Sequence, residues 1–171
     1  MRPHVIQCLK RIKEELNYDI IAFTASLACY SNEVLNIIDK NYEIFSLRLF
    51  REHCLKIELN NTTNYIKDLS IFHNVSLKDM LIVDNSIISF VFHITNGIAI
   101  LPYYDNKSDR ELVYLCKYLE SIVDSSDLRV PNRKHIKYII EEIKDDYYNQ
   151  KQSKSLYNRF HALEFYDSLN T

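Results

Sequence analysis

Short apolar runs that end abruptly at polar residues alternate along this chain with amphipathic helical patterns, and this alternation restricts its fold more than any other feature. Residues 20–23 end at Thr24, and residues 80–83 end at Asp84 and Asn85. Four-residue apolar runs suit strands buried in a sheet, and helices between them suit the crossovers that parallel strands need. The pattern therefore predicts an α/β fold with a doubly wound parallel sheet.

The predicted elements follow this order from the N-terminus. Pro3 opens a helical pattern, and Ser31 or Asn32 can cap a second helix. Short strands are predicted at 44–50, 54–59, 65–67 and 98–100, with a polar hairpin turn at 60–63. Ser108 and Glu111 match a capping box for a helix that extends to about Val123.

The C-terminal part of the chain carries only helical patterns. Two apolar stripes follow the last predicted strand. The first consists of Ile136, Ile139, Ile140, Ile143 and Tyr147, and the second, which is shorter, consists of Leu156, Phe160 and Leu163. We therefore predict one domain over residues 1–127 and a helical extension over residues 128–171 that packs on the same domain.

Composition excludes several classes of function. A formal net charge of -2 gives no overall attraction to nucleic acid, and no apolar run is long enough for a membrane span. The single glycine, Gly97, excludes a glycine-rich phosphate loop. The four cysteines lack metal-ligand spacing and are predicted to be reduced and mostly buried.

Polar residues at strand ends are the first candidates for a site, because ligands of open parallel sheets bind outside the carboxyl ends of the strands. Thr24 could donate its hydroxyl and backbone N–H to an anion, Asp84 could bind Mg²⁺, and Lys67 could neutralise a phosphate oxygen. Taken singly, each residue fits a turn, a cap or a solvated surface equally well.

Several motifs together resemble one family. RPHV, IIAFTASLACYSNEVLNIID, LFREHC, NYIKDLS, LIVDNS, FVFH and YYDNKSDRELVYL occur in order between Arg2 and about Val123. They are similar to the small C-terminal-domain phosphatases of the haloacid dehalogenase-like superfamily, which carry the FCP-homology domain. The resemblance implies a Mg²⁺ cofactor and phosphoserine or phosphothreonine peptide substrates, such as the tail of RNA polymerase II.

The resemblance also implies roles for individual residues. Thr24 and Lys67 would hold the phosphate, Asp84 and Asn85 would bind Mg²⁺, and Arg51 would lie near the substrate peptide. Residues 44–67 would form a small antiparallel strand insert that shapes peptide binding. Ile87 and Tyr103 stand where the family usually has proline and tryptophan.

The family's DxDxT motif, which the resemblance places on a first strand upstream of Arg2, does not occur in these 171 residues. In the family its first aspartate attacks phosphorus and its second is the general acid and base. We therefore predict that the first strand is missing, that the chain has no catalytic residue, and that it binds Mg²⁺ weakly. Asp19, Asp68, Asp105 and Asp109 are predicted to have structural roles instead.

Three readings of the function remain open. The chain could be a fragment of an active phosphatase, or a pseudophosphatase that binds phosphopeptides or a protein partner without turnover. In the third reading the residues after Asp127 form an interaction module. Without the first strand, the two strands that would flank it either pair with each other or leave exposed sheet edges for a partner. A nuclear or cytoplasmic, soluble protein is expected.

Overall fold

The computed structural model describes residues 1–59 and 62–133, which form two compact units. The first unit comprises Met1–Leu55 and Leu101–Asp124, and the second comprises Lys56–Ile100 and, within the described residues, 125–133. Both contain helical segments and paired strands, so the α/β class is confirmed. The boundary at Asp127 stays a prediction, since most of the extension 128–171 lies outside the described residues.

The first unit combines three helices with one pair of parallel strands. Its elements are helix α1 Val5–Glu14, strand β1 Ile20–Phe23, helix α2 Ala28–Ile38, strand β2 Phe45–Leu49 and helix α3 Glu111–Ile122. β1 and β2 run parallel, with Phe23 opposite Leu49 at their carboxyl ends. Thr24 therefore leaves the sheet at the rim where sequence analysis placed it.

Two cysteines lie where α1 packs against α3. Cys8 and Cys116 are both buried, and their Sγ atoms lie 2.7 Å apart. Burial raises the pKa of the Cys8 thiol well above its usual range, and the neighbouring Cys116 thiol adds to the effect. All four cysteines are free thiols, but Cys54 is half-buried and Cys29 is exposed, so only two of the four are buried as predicted.

Both predicted helix caps are wrong. α2 begins at Ala28 after Leu27, which places Ser31 inside the helix, where it is buried. α3 begins after Arg110, which makes no side-chain cap hydrogen bond. Asp109 Oδ1 accepts instead from the backbone N–H of Glu111 at 3.2 Å, and the same carboxylate forms a two-point ion pair with Arg2. The carboxylate that covers the helix start is thus also paired with an arginine from the opposite end of the described chain.

The second unit contains a hairpin and a second pair of parallel strands. Its strands are β3 Leu55–Leu59, β4 Thr62–Ile66, β5 Ile82–Asp84 and β6 Gly97–Ala99. β3 and β4 are joined by two residues, which only an antiparallel pair allows, so a hairpin forms as predicted. Its predicted bounds are wrong, because Thr62 and Thr63, which were assigned to the turn, lie in β4, and Lys67, which was assigned to the strand, follows it. β5 and β6 are parallel, with Asp84 opposite Ala99. The 3₁₀ segment Ile87–Asn96 was not predicted.

The core of the second unit is centred on the Phe90 ring. This side chain is fully buried among Leu69, Ile82 and Ile87. Gly97 lies against the ring so closely that an added Cβ would be 2.0 Å from Phe90 Cε2. The single glycine of the chain is therefore needed for close packing and not for a phosphate loop.

Strand pairing is limited to three two-stranded sheets. Over residues 1–59 and 62–133, β1 pairs only with β2, and β5 pairs only with β6. Each of these pairs therefore has an outer edge, and β1 is half-buried along its whole length instead of fully buried. No helix in the same residues is long and apolar enough to cross a membrane.

Candidate functional site

The strand-end loop, residues 24–26, is held by its own backbone. Thr24 N–H donates to Leu49 O at 2.9 Å, which continues the β1–β2 ladder by one bond. Ser26 N–H donates to Thr24 Oγ1 at 3.1 Å. The backbone N–H of Thr24 is therefore engaged, contrary to our expectation that it could bind an anion. The hydroxyl proton of Thr24 remains the group that can donate to a phosphate oxygen.

Arg51 lies beside the same loop. Its Nε–H donates to Ala25 O at 2.7 Å, and its backbone N–H donates to Ser26 O at 3.1 Å. Cys54 Sγ also lies 3.9 Å from Thr24 O. The structure thus brings Arg51 and Thr24 together in the first unit, where Arg51 supports the loop. Its contact with a substrate peptide stays a prediction.

Lys67 and Asp84 meet in the second unit, directly after β4 and at the last residue of β5. Lys67 Nζ forms an ion pair with Asp84 Oδ2, and the two side chains are only 10% and 9% exposed. Asp84 Oδ1 accepts from the backbone N–H of Ser86 at 2.7 Å. Two residues that are 17 positions apart therefore form a nearly buried pair, in which the lysine compensates the carboxylate charge.

The carboxylate of Asp84 has limited capacity for a metal ion. Both of its oxygens are already engaged, and Asn85 beside it is exposed. Residues 1–59 and 62–133 contain no cluster of three or more His, Cys, Asp or Glu side chains that could hold a metal. Mg²⁺ typically takes one or two carboxylates together with waters and phosphate oxygens. Asp84 and Asn85 fit such a role only as a minor part of a larger ligand set.

A second pair lies next to Lys67, and sequence analysis missed its partner. His93 Nε2 lies 2.7 Å from Asp68 Oδ1, and the same oxygen accepts from Ser70 N–H at 2.9 Å. Burial raises the pKa of Asp68, but the hydrogen bonds from His93 and Ser70 outweigh it and lower the pKa below its usual value. The partner of Asp68 is thus a histidine 25 positions away, which no local pattern indicates.

The other carboxylates considered as replacement nucleophiles have structural environments. Asp19 is exposed and precedes β1, at the opposite end of the strand from Thr24. Asp105 accepts from Lys107 Nζ at 2.8 Å, and Asp109 pairs with Arg2 at 2.8 Å. These contacts agree with the structural roles predicted for all three residues.

The predicted site residues therefore form two groups, one in each unit. Thr24 lies with Arg51, and Lys67 lies with Asp84 and Asn85. The sequence motifs indicated all five residues, but as parts of one site. That the two groups converge on one anion stays a prediction.

Comparison with known proteins defines the family. The sequence model of the NLI interacting factor-like phosphatases matches residues 1–129. This match covers well over half of the chain, and the chain belongs to that family.

Individual relatives carry the same description. A "probable C-terminal domain small phosphatase" of Dictyostelium discoideum is 41% identical over 129 residues, which are 75% of this chain and 40% of that protein. The human "carboxy-terminal domain RNA polymerase II polypeptide A small phosphatase 1" is 39% identical, over 74% of this chain and 46% of the relative. "Phosphatase Herzog" of Drosophila melanogaster is 39% identical, over 72% and 34%. The chain thus spans less than half the length of these relatives.

Proposed function

We propose that this chain recognises phosphoserine or phosphothreonine peptides of the RNA polymerase II tail type and that it does not hydrolyse them by itself. The nearly buried Lys67–Asp84 pair at the strand ends carries the proposal. An ammonium group next to the end of a parallel strand pair is suited to a phosphate oxygen, which can replace the carboxylate as its partner. Family membership and the human relative's printed name support the choice of substrate.

The residues we assign to this role are those of the two groups. Thr24 would donate its hydroxyl to the phosphate, Lys67 would compensate the phosphate charge, and Arg51 would contact the peptide near the strand-end loop. Asp84 and Asn85 would contribute to weak Mg²⁺ binding once Lys67 has turned to the phosphate. We place the protein in the nucleus or the cytoplasm, where such substrates occur.

Calorimetry with a phosphoserine peptide and its unphosphorylated twin tests the proposal. We expect the phosphopeptide to bind on the order of 10- to 100-fold more tightly, because hydrogen bonds to a charged group contribute about 1.5–3 kcal/mol. Thr24→Val and Lys67→Gln should each remove most of this preference.

Matched substitutions at exposed positions provide the controls. Thr62→Val and Lys56→Gln change the same residue types in the second unit, where both side chains are exposed. Neither should alter the preference for the phosphopeptide. Equal affinity of the unchanged chain for both peptides would remove the phosphate-binding role.

A second role, as a platform for a protein partner, rests on the outer edges of β1 and β5. A strand edge presents N–H and C=O groups that another chain can pair with. We expect the β1 amides that face away from β2, and the β5 amides that face away from β6, to exchange with deuterium faster than those within the ladders. Equal protection on both sides of each strand would mean that these edges are already covered.

A further inference from the structure

Lys67 and the next residue, Asp68, both form hydrogen bonds to the 3₁₀ segment Ile87–Asn96. Lys67 N–H donates to Ser89 O at 2.6 Å. Asp68, the next residue, accepts from His93 of the same segment at 2.7 Å. Two contacts therefore join the end of β4 to one stretch of chain.

The two side chains extend in different directions from the end of the strand. The contact of Asp68 with His93 and the bond from Lys67 N–H to Ser89 O both restrain the backbone from which the Lys67 side chain extends. Lys67 then extends to Asp84, on the other strand end. Without the bond to His93, the Asp68 carboxylate would also be free to attract the neighbouring ammonium group.

The segment that supplies His93 is firmly held. Its backbone departs from helical angles at Phe90 and at His93 itself, so the segment bends at the histidine. Phe90 is fully buried in the core of the second unit, and the His93 side chain is only 11% exposed. His93 therefore reaches Asp68 from a fixed position.

We propose that Asp68 and His93 are positioning residues, which hold the end of β4 so that the Lys67 ammonium is presented to a bound phosphate. This inference rests on the proposed function, because it assumes that Lys67 binds phosphate. Asp68 and His93 themselves do not touch the ligand. They act by restricting the directions that the lysine side chain can take.

The preference for a phosphoserine peptide over its unphosphorylated twin is the quantity to measure. His93→Ala should reduce this preference by about three- to tenfold, a coupling typical of neighbouring groups. His93→Gln should keep it within about twofold of the unchanged chain, because the glutamine amide can still donate to Asp68. His73→Ala, which removes an exposed histidine of the same unit, is the matched control and should have no effect.

A second variant covers the case in which His93→Ala does not fold. Asp68→Ser keeps an oxygen for Ser70 N–H but is too short to reach His93, so it should cause the same loss as His93→Ala.

The outcomes separate this inference from the proposed function. If the unchanged chain binds both peptides equally, the phosphate-binding role itself fails. If the preference depends on Lys67 but His93→Ala and Asp68→Ser leave it intact, only the positioning role is overturned. If either substitution lowers the affinity for both peptides to the same extent, the positioning role is also overturned, because the pair would then act on general structure.

Discussion

Purified as these 171 residues, the protein is expected to release no measurable phosphate from a phosphoserine peptide, with or without Mg²⁺. No two of its aspartates stand two positions apart, so the DxDxT pattern is absent. Loss of the nucleophile in a well-studied hydrolase lowers turnover on the order of a million-fold, and typical enzymes turn over about 10 times per second. The expected rate is therefore roughly 10⁻⁵ per second.

The environment of the remaining carboxylates supports this expectation. Asp84 is compensated by Lys67, Asp68 accepts from His93, and Asp109 pairs with Arg2. A carboxylate that attacks phosphorus must be free of such a partner and directed at the bound ester. None of these three is placed in that way.

Phosphate release measured alongside the human relative, as a positive control, provides the check. Magnesium-dependent release that Asp84→Asn abolishes would contradict the prediction, because it would show a complete active site within these residues. Release that Asp84→Asn leaves unchanged would indicate a contaminating phosphatase.

Lys67→Met is expected to lower the free energy of unfolding by about 3–5 kcal/mol. Removing one partner of a buried ion pair leaves the other charge without compensation in a region of low dielectric. The Lys67 and Asp84 side chains are 10% and 9% exposed, so water can replace little of the lost interaction. Urea denaturation followed by circular dichroism measures the change.

Two further variants separate charge from packing. Lys56 and Glu58 form an exposed ion pair, with side chains 60% and 58% exposed, so Lys56→Met should cost less than about 1 kcal/mol. The double substitution Lys67→Met and Asp84→Asn should recover part of the stability, because no buried charge is left unpaired. A similar small loss for Lys67→Met and Lys56→Met would show that the pair contributes little.

The sequence predicted the strands well, because apolar runs of two to five residues with polar ends suit few other structures. The apolar run at residues 20–23 became β1 with the bounds predicted, and the strands at 44–50 and 54–59 moved by one residue at their ends, whereas β4 begins three residues before its predicted start at Tyr65. The predictions of the helix caps were wrong because several polar residues near each helix start could act as the N-cap. Asp109, which pairs with Arg2, accepts from the start of α3, and the capping-box pattern at Ser108 did not include it.

The candidate site was predicted in part. Thr24 and Asp84 were visible because each closes an apolar strand, a position that the linear sequence records, whereas the role of Lys67 was implied by the resemblance to the family. The exposure of Cys29 and the bend at His93 were not visible, because each depends on packing against residues far away in the chain.

By itself, then, the sequence determined the family, the α/β class and the residues that stand at the strand ends. The tertiary structure alone decided that Lys67 meets Asp84, that Arg51 supports the loop of Thr24, and that His93 holds Asp68. Apolar periodicity is a local property and can be read along the chain. A contact between residues 17 to 26 positions apart depends instead on strand register and core packing, which form only when the whole unit folds.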